Sequence, residues 1–110
     1  MTINEFIRKQ KFSKNTETTK LNLLKSVSDF LISPKKDNFK TVIKYLSILA
    51  NTYHIDLINS KSQTIKTNKN ELLNNIGKLI QNKSGYMNIL PETYKMIVSY
   101  AKSLKIEFSF

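Results

Sequence analysis

One histidine, no cysteine and eight scattered carboxylates are all that this 110-residue chain offers to acid–base, nucleophilic or metal chemistry. His54 has no second histidine and no thiolate with which to complete a zinc set or a Ser-His-Asp relay. Its place just after an apolar stripe suits a helix-end or surface histidine. No two carboxylates share a strong helical stripe, so the paired acids of a glycoside hydrolase are missing. No glycine-rich phosphate loop is present either. The sequence therefore predicts no catalytic residue, no metal site and no cofactor, and turns attention to binding.

Charge is the next resource. Lys plus Arg number 18 against 8 Asp plus Glu, for a formal net charge of +10, and Arg8 is the sole arginine. The lysines are spread along the chain rather than clustered, and one arginine supplies little bidentate guanine recognition. These features argue against nucleic acid as a partner and for a solvated basic coat. A softer use is attraction to an anionic membrane face, worth about 1 kcal/mol per nearby lysine. The apolar runs are only a few residues long, far short of a membrane span, and the N-terminus lacks the order of a secretory signal. A cytosolic, soluble protein is expected.

The elements that position these residues follow from apolar spacing. Residues 1–15 read as a basic arm in which Ile3, Phe6 and Ile7 have the spacing of a short helical turn. A first helix is predicted over Glu17–Ile32, capped by Thr16, with Leu24, Val27 and Leu31 as its stripe, widened by Leu21, Leu23 and Phe30. Ser33-Pro34 ends it. A second helix is predicted over Asn38–Tyr53, capped by Asp37 or Asn38. Phe39, Val42, Leu46, Leu49 and Tyr53 recur in steps of three and four, Ile43 and Ala50 widen the stripe, and Lys40, Lys44, Ser47 and Asn51 fill the opposite face. Residues 59–67 read as a surface loop.

Asn68-Lys69-Asn70-Glu71 has the form of a capping box for a third helix with Leu72, Leu73, Ile76, Leu79 and Ile80 as its stripe. Gly77 costs this helix about 1 kcal/mol unless a neighbour comes close. A fourth helix is predicted to start at Pro91, whose missing N–H suits a first helical position. Tyr94, Ile97, Val98, Ala101 and Leu104 form its stripe. Ile106, Phe108 and Phe110 then alternate with polar residues and predict an extended tail that docks on the bundle or touches a partner. The fold expected is all-α: an antiparallel four-helix bundle over residues 16–110, preceded by the arm 1–15.

Three stretches of the second half carry a family likeness. Asn70-Glu71-Leu72-Leu73-Asn74-Asn75-Ile76, Glu92-Thr93-Tyr94-Lys95-Met96-Ile97 and Leu104-Lys105-Ile106-Glu107-Phe108-Ser109-Phe110 resemble the third helix, fourth helix and aromatic tail of the immunity proteins of class IIa (pediocin-like) bacteriocins. The likeness spans residues 17–110, and the N-terminal arm is longer than in those proteins. The resemblance implies a cytosolic four-helix bundle that protects a producer cell. Such proteins act from the cytoplasmic side on the mannose phosphotransferase membrane components that the bacteriocin uses as receptor, and lock the bacteriocin-bound receptor against leakage. Specificity is associated with the C-terminal half. Carried onto this chain, it points to the turn Lys83 to Leu90 with Tyr86, to Lys95, Ser99 and Lys102 on the last helix, and to Lys105, Ile106, Phe108 and Phe110 in the tail. A small basic nucleic-acid-binding regulator and a phage-encoded inhibitor of a host defence protein are the competing functions.

Overall fold

The protein is described by a computed structural model that covers residues 1–59, 68–81 and 86–110, with the backbone alone at 86–88. Among these residues it is all-helical, with five helices: α1 (Ile3–Lys9), α2 (Thr16–Ile32), α3 (Lys36–Thr52), α4 (Lys69–Gln81) and α5 (Tyr86–Ser103). The expected loop at 59–67 lies, beyond Asn59, outside the described residues. No described helix is long and apolar enough to cross a membrane.

The additional helix is α1, inside the segment read as an arm. Seven residues are too few to stay helical alone. α1 persists because Ile7 is buried, Ile3 and Phe6 are half-buried, and the helix packs on α3. Thr2 caps it by accepting from the Glu5 amide at 3.2 Å.

α2 and α3 pack most extensively against each other, α4 packs on α5, and α2·α4 and α3·α5 contacts join the two pairs. The predicted α3 stripe forms the centre of the core: Phe39, Val42, Ile43, Leu46 and Leu49 are fully buried. Ser47, expected on the outer face, is fully buried too, and its hydroxyl donates to the Ile43 carbonyl at 2.6 Å. In α2 the core face is Leu23, Val27, Phe30 and Leu31; Leu21 is exposed and Leu24 half-buried. Leu73 and Leu104 are also exposed.

The helix ends differ from expectation in instructive ways. The cap of α2 is Asn15, one residue earlier than Thr16, accepting from the Thr18 amide at 3.0 Å. α3 starts at Lys36 with no side-chain cap, and Asn38 instead donates to the Ser33 carbonyl at 2.7 Å. Asn68 does cap α4, accepting from the Glu71 amide at 2.9 Å. α5 begins at Tyr86, so Pro91 lies inside it. A proline there leaves one carbonyl of the preceding turn without its helical donor. The turn forms regardless because Leu90 and Pro91 are both buried.

Two helices end in left-handed residues that are not glycine, His54 (φ 57) and Lys105 (φ 59). In each case the following amide bonds back to the carbonyl five residues earlier, Ile55 to Ala50 at 2.8 Å and Ile106 to Ala101 at 3.1 Å. His54 and Lys105 donate to Asn51 and Lys102, completing two Schellman caps. These caps turn the chain sharply and send Ile55 and Ile106 back onto the core.

Between α4 and α5, buried Asn75 and Thr93 meet side chain to side chain, and Thr93 Oγ1 also lies 2.8 Å from the Ile89 carbonyl. Gly77, by contrast, faces open space: a Cβ there meets no atom within 4 Å. Gly77→Ala is therefore expected to raise stability by about 1 kcal/mol, the helix-propensity difference. It should appear as a higher urea midpoint with unchanged slope, and an unchanged or lower midpoint would contradict the open surroundings.

Candidate functional site

The residues predicted for partner contact fall into two groups. Lys95, Ser99 and Lys102 follow one another by four and three along α5 and share one groove of about 200 Å³. Its remaining wall comes from Tyr94 and Val98 on α5 and from Leu57 and Ile58 across it. The cap at His54 redirects the chain after α3, and Asp56 fixes the next turn. Its carboxylate accepts from the Ile58 amide at 2.9 Å, the Asn59 amide at 3.2 Å and the Asn59 side chain at 3.0 Å. The Asn59 bonds, with the Ile58 amide and the nearby Arg8 charge adding, hold the Asp56 carboxyl below the usual carboxylate range against slight desolvation. Leu57 is thereby buried and Ile58 left half-buried at the groove. Burial pushes the Tyr94 phenol up, so it stays neutral and a hydrogen-bonding group.

The second group is the tail. Ile106, Phe108 and Phe110 are half-buried while Glu107 and Ser109 are exposed, as the alternation predicts. The tail finishes the core rather than hanging free. Phe108 and Phe110 lie 5.2 and 5.8 Å from Phe39, centroid to centroid, and Phe110 meets Phe6 of α1 edge-on at 4.9 Å. The Phe110 amide donates to the Met1 carbonyl at 2.8 Å. Lys40 lies 5.4 Å from the Phe6 ring and 5.8 Å from the Phe110 ring. Lys102 reaches over Phe108 at 5.9 Å and so links the groove to the tail. Lys105 is exposed at the corner between them. Lys83 lies outside the described residues, as does the side chain of Tyr86. The turn expected up to Leu90 is helical from Tyr86 onward.

Sequence reasoning missed the contribution of Leu57 and Ile58, since no periodicity links them to a helix beginning some thirty residues later. It also missed a second, larger cleft where Arg8, Lys9, Lys11 and Phe12 face His54 and Ile55. Among the described residues, no three of His, Cys, Asp and Glu come together to hold a metal ion. What the α5 groove offers is an apolar floor, two cations, a hydroxyl and a neutral phenol, a set that can grip a polypeptide. No family model, no curated protein and no solved structure matches this chain.

Proposed function

We propose that this chain is an immunity protein of the class IIa bacteriocin type, a binding module without a catalytic step. α2 to α5 then correspond to the antiparallel four-helix bundle of that family, with α1 packed alongside. The observation that supports the reading is the stretch α4–α5–tail. Of the residues that carry the likeness, Tyr94 and Lys95 line the groove, and Ile106, Phe108 and Phe110 form the docked tail. The protein works in the cytoplasm, at the inner face of the membrane. It engages the receptor's mannose phosphotransferase components only when the bacteriocin is bound. A ligand that stabilises one receptor state needs differential binding and no chemistry. The net charge of +10 favours residence near anionic lipid.

The test is expression in a bacteriocin-sensitive strain challenged with a panel of class IIa peptides. Protection against at least one peptide is expected. Lys95→Glu with Lys102→Glu is expected to lower the tolerated peptide concentration about tenfold or more, a loss of about 1.4 kcal/mol of binding, with an unchanged helical circular dichroism spectrum. If every peptide keeps its full activity against cells producing the protein, the reading fails.

A further inference from the structure

The cleft between the C-terminal end of α1 and the end of α3 has a volume of about 690 Å³. One wall is the contiguous stretch 8–12, and His54, Ile55 and Asp56 face it. Arg8, Lys9 and Lys11 supply three cations, and Phe12 supplies an aromatic ring that is 66% exposed. Neither Lys9 nor Lys11 forms an ion pair among the described residues. The opposing charge in the lining is Asp56, which its bonds to Asn59 and Ile58 keep ionised near Arg8, so three cations face one carboxylate and the lining stays net positive.

The exposure of Phe12 is built rather than accidental. The chain on either side is fastened to α3: Asn51 donates to the Gln10 carbonyl, and the Ser13 amide donates to Thr52 Oγ1 at 3.0 Å. These anchors fix the backbone while the ring stays out of the core. The His54 imidazole, carried on its left-handed residue, meets the ring edge-on at 5.7 Å. In such a contact His54 covers at most one face of Phe12, and the 66% exposed ring keeps a face for a ligand. An aromatic ring held beside three cations is the pairing used to hold a base and its phosphate.

We propose that this cleft binds a nucleoside phosphate, the base stacked on Phe12 and the phosphate held by Arg8, Lys9 and Lys11. The ligand is presented either as a free nucleotide or as a segment of single-stranded nucleic acid. A duplex is excluded by the requirement for an unstacked base. The site shares no lining residue with the α5 groove, and this inference stands independently of the immunity reading.

Fluorescence anisotropy with a labelled single-stranded ten-nucleotide oligomer tests it, with unlabelled nucleoside monophosphate, inorganic phosphate and the corresponding duplex as competitors. The expected result is binding at low salt that the unlabelled oligomer reverses and that the duplex and inorganic phosphate do not. If the nucleoside monophosphate competes as well per nucleotide as the oligomer, the free nucleotide is the ligand; otherwise the strand is. Phe12→Ala is expected to weaken binding about fivefold or more, from the worth of one base–aromatic stack, and Phe12→Tyr to restore it. Its exposure makes Phe12→Ala harmless to the fold, which circular dichroism checks. Lys9→Ala with Lys11→Ala should reduce the salt slope by about 1.4, at about 0.7 per phosphate contact of a single strand, while Lys25→Ala on α2 leaves it unchanged. Binding that Phe12→Ala leaves intact overturns the proposal. So does equal competition by inorganic phosphate, attachment to anionic vesicles without oligomer binding, or no binding at low salt.

Discussion

Phe39→Ala is expected to lower stability by about 3–5 kcal/mol, the range for emptying a buried aromatic site. Phe39 is fully buried and stands where α2, α3 and the tail meet. Its ring lies 5.9 Å from Phe30 of α2, and Phe108 and Phe110 of the tail approach it from another side. Phe30 passes the contact on to Tyr100 of α5 at 5.8 Å, edge to face. Truncation removes the burial of one ring, the aromatic pairing with three others, and the surface on which the tail rests. A domain of this kind has about 5–15 kcal/mol in total, so the variant should lose a large share of its stability. Urea titration checks it through a large fall in midpoint. Phe39→Leu, which fills most of the volume, should lose much less. A drop of under about 1 kcal/mol for the alanine variant would mean that the ring is not a keystone of the core.

Removal of residues 106–110 is the second large effect, with an expected loss of about 3 kcal/mol. Full burial of an aliphatic or aromatic side chain contributes about 1.5–3 kcal/mol, and Ile106, Phe108 and Phe110 are each about half-buried. The Lys36–Glu107 pair, 3.9 Å apart with both side chains largely exposed, adds little. The deletion should also melt α1, because Phe6 loses the edge contact with Phe110 and Met1 loses its backbone donor. Thermal unfolding followed by circular dichroism checks both parts: a lower midpoint, and a small loss of helical signal already present before the transition. A midpoint equal to that of the full chain would show that the tail is not part of the fold. Because deletion mixes stability with recognition, loss of protection by a tail-less protein would not by itself locate the contact surface. Substitutions at Lys95 and Lys102 separate the two.

The sequence conveyed the interior of α3 almost completely because Phe39, Val42, Ile43, Leu46 and Leu49 make every core-facing position but Ser47 apolar and charged residues flank them. α2 was less legible. Leucines at 21, 23 and 24 make its face ambiguous, and only the packing of α3 and α4 selects Leu23 over Leu21. Ser47 was misplaced because a hydroxyl that satisfies itself on its own helix can be buried without any apolar signature. Pro91 marked the start of a helix by local preference, yet the burial of Leu90 and Pro91 extends α5 by a further turn. At the candidate site, the spacing of Lys95, Ser99 and Lys102 was readable as one helix face. The opposing Leu57 and Ile58 were not, since they arrive through the left-handed turn at His54. The same turn brings His54 to Phe12, two residues with no sequence relation.

The buried contact between Asn75 and Thr93 has a consequence for the axial position of α4. Leu72, Ile76 and Leu79 alone would tolerate a slip of one turn along α5, because similar apolar groups recur at that interval. A slip would strand the Asn75 amide in a dry interface, at about 1–3 kcal/mol, while the Thr93 hydroxyl would keep the Ile89 carbonyl of its own helix. One buried amide thus selects one alignment from several that the apolar surface would accept.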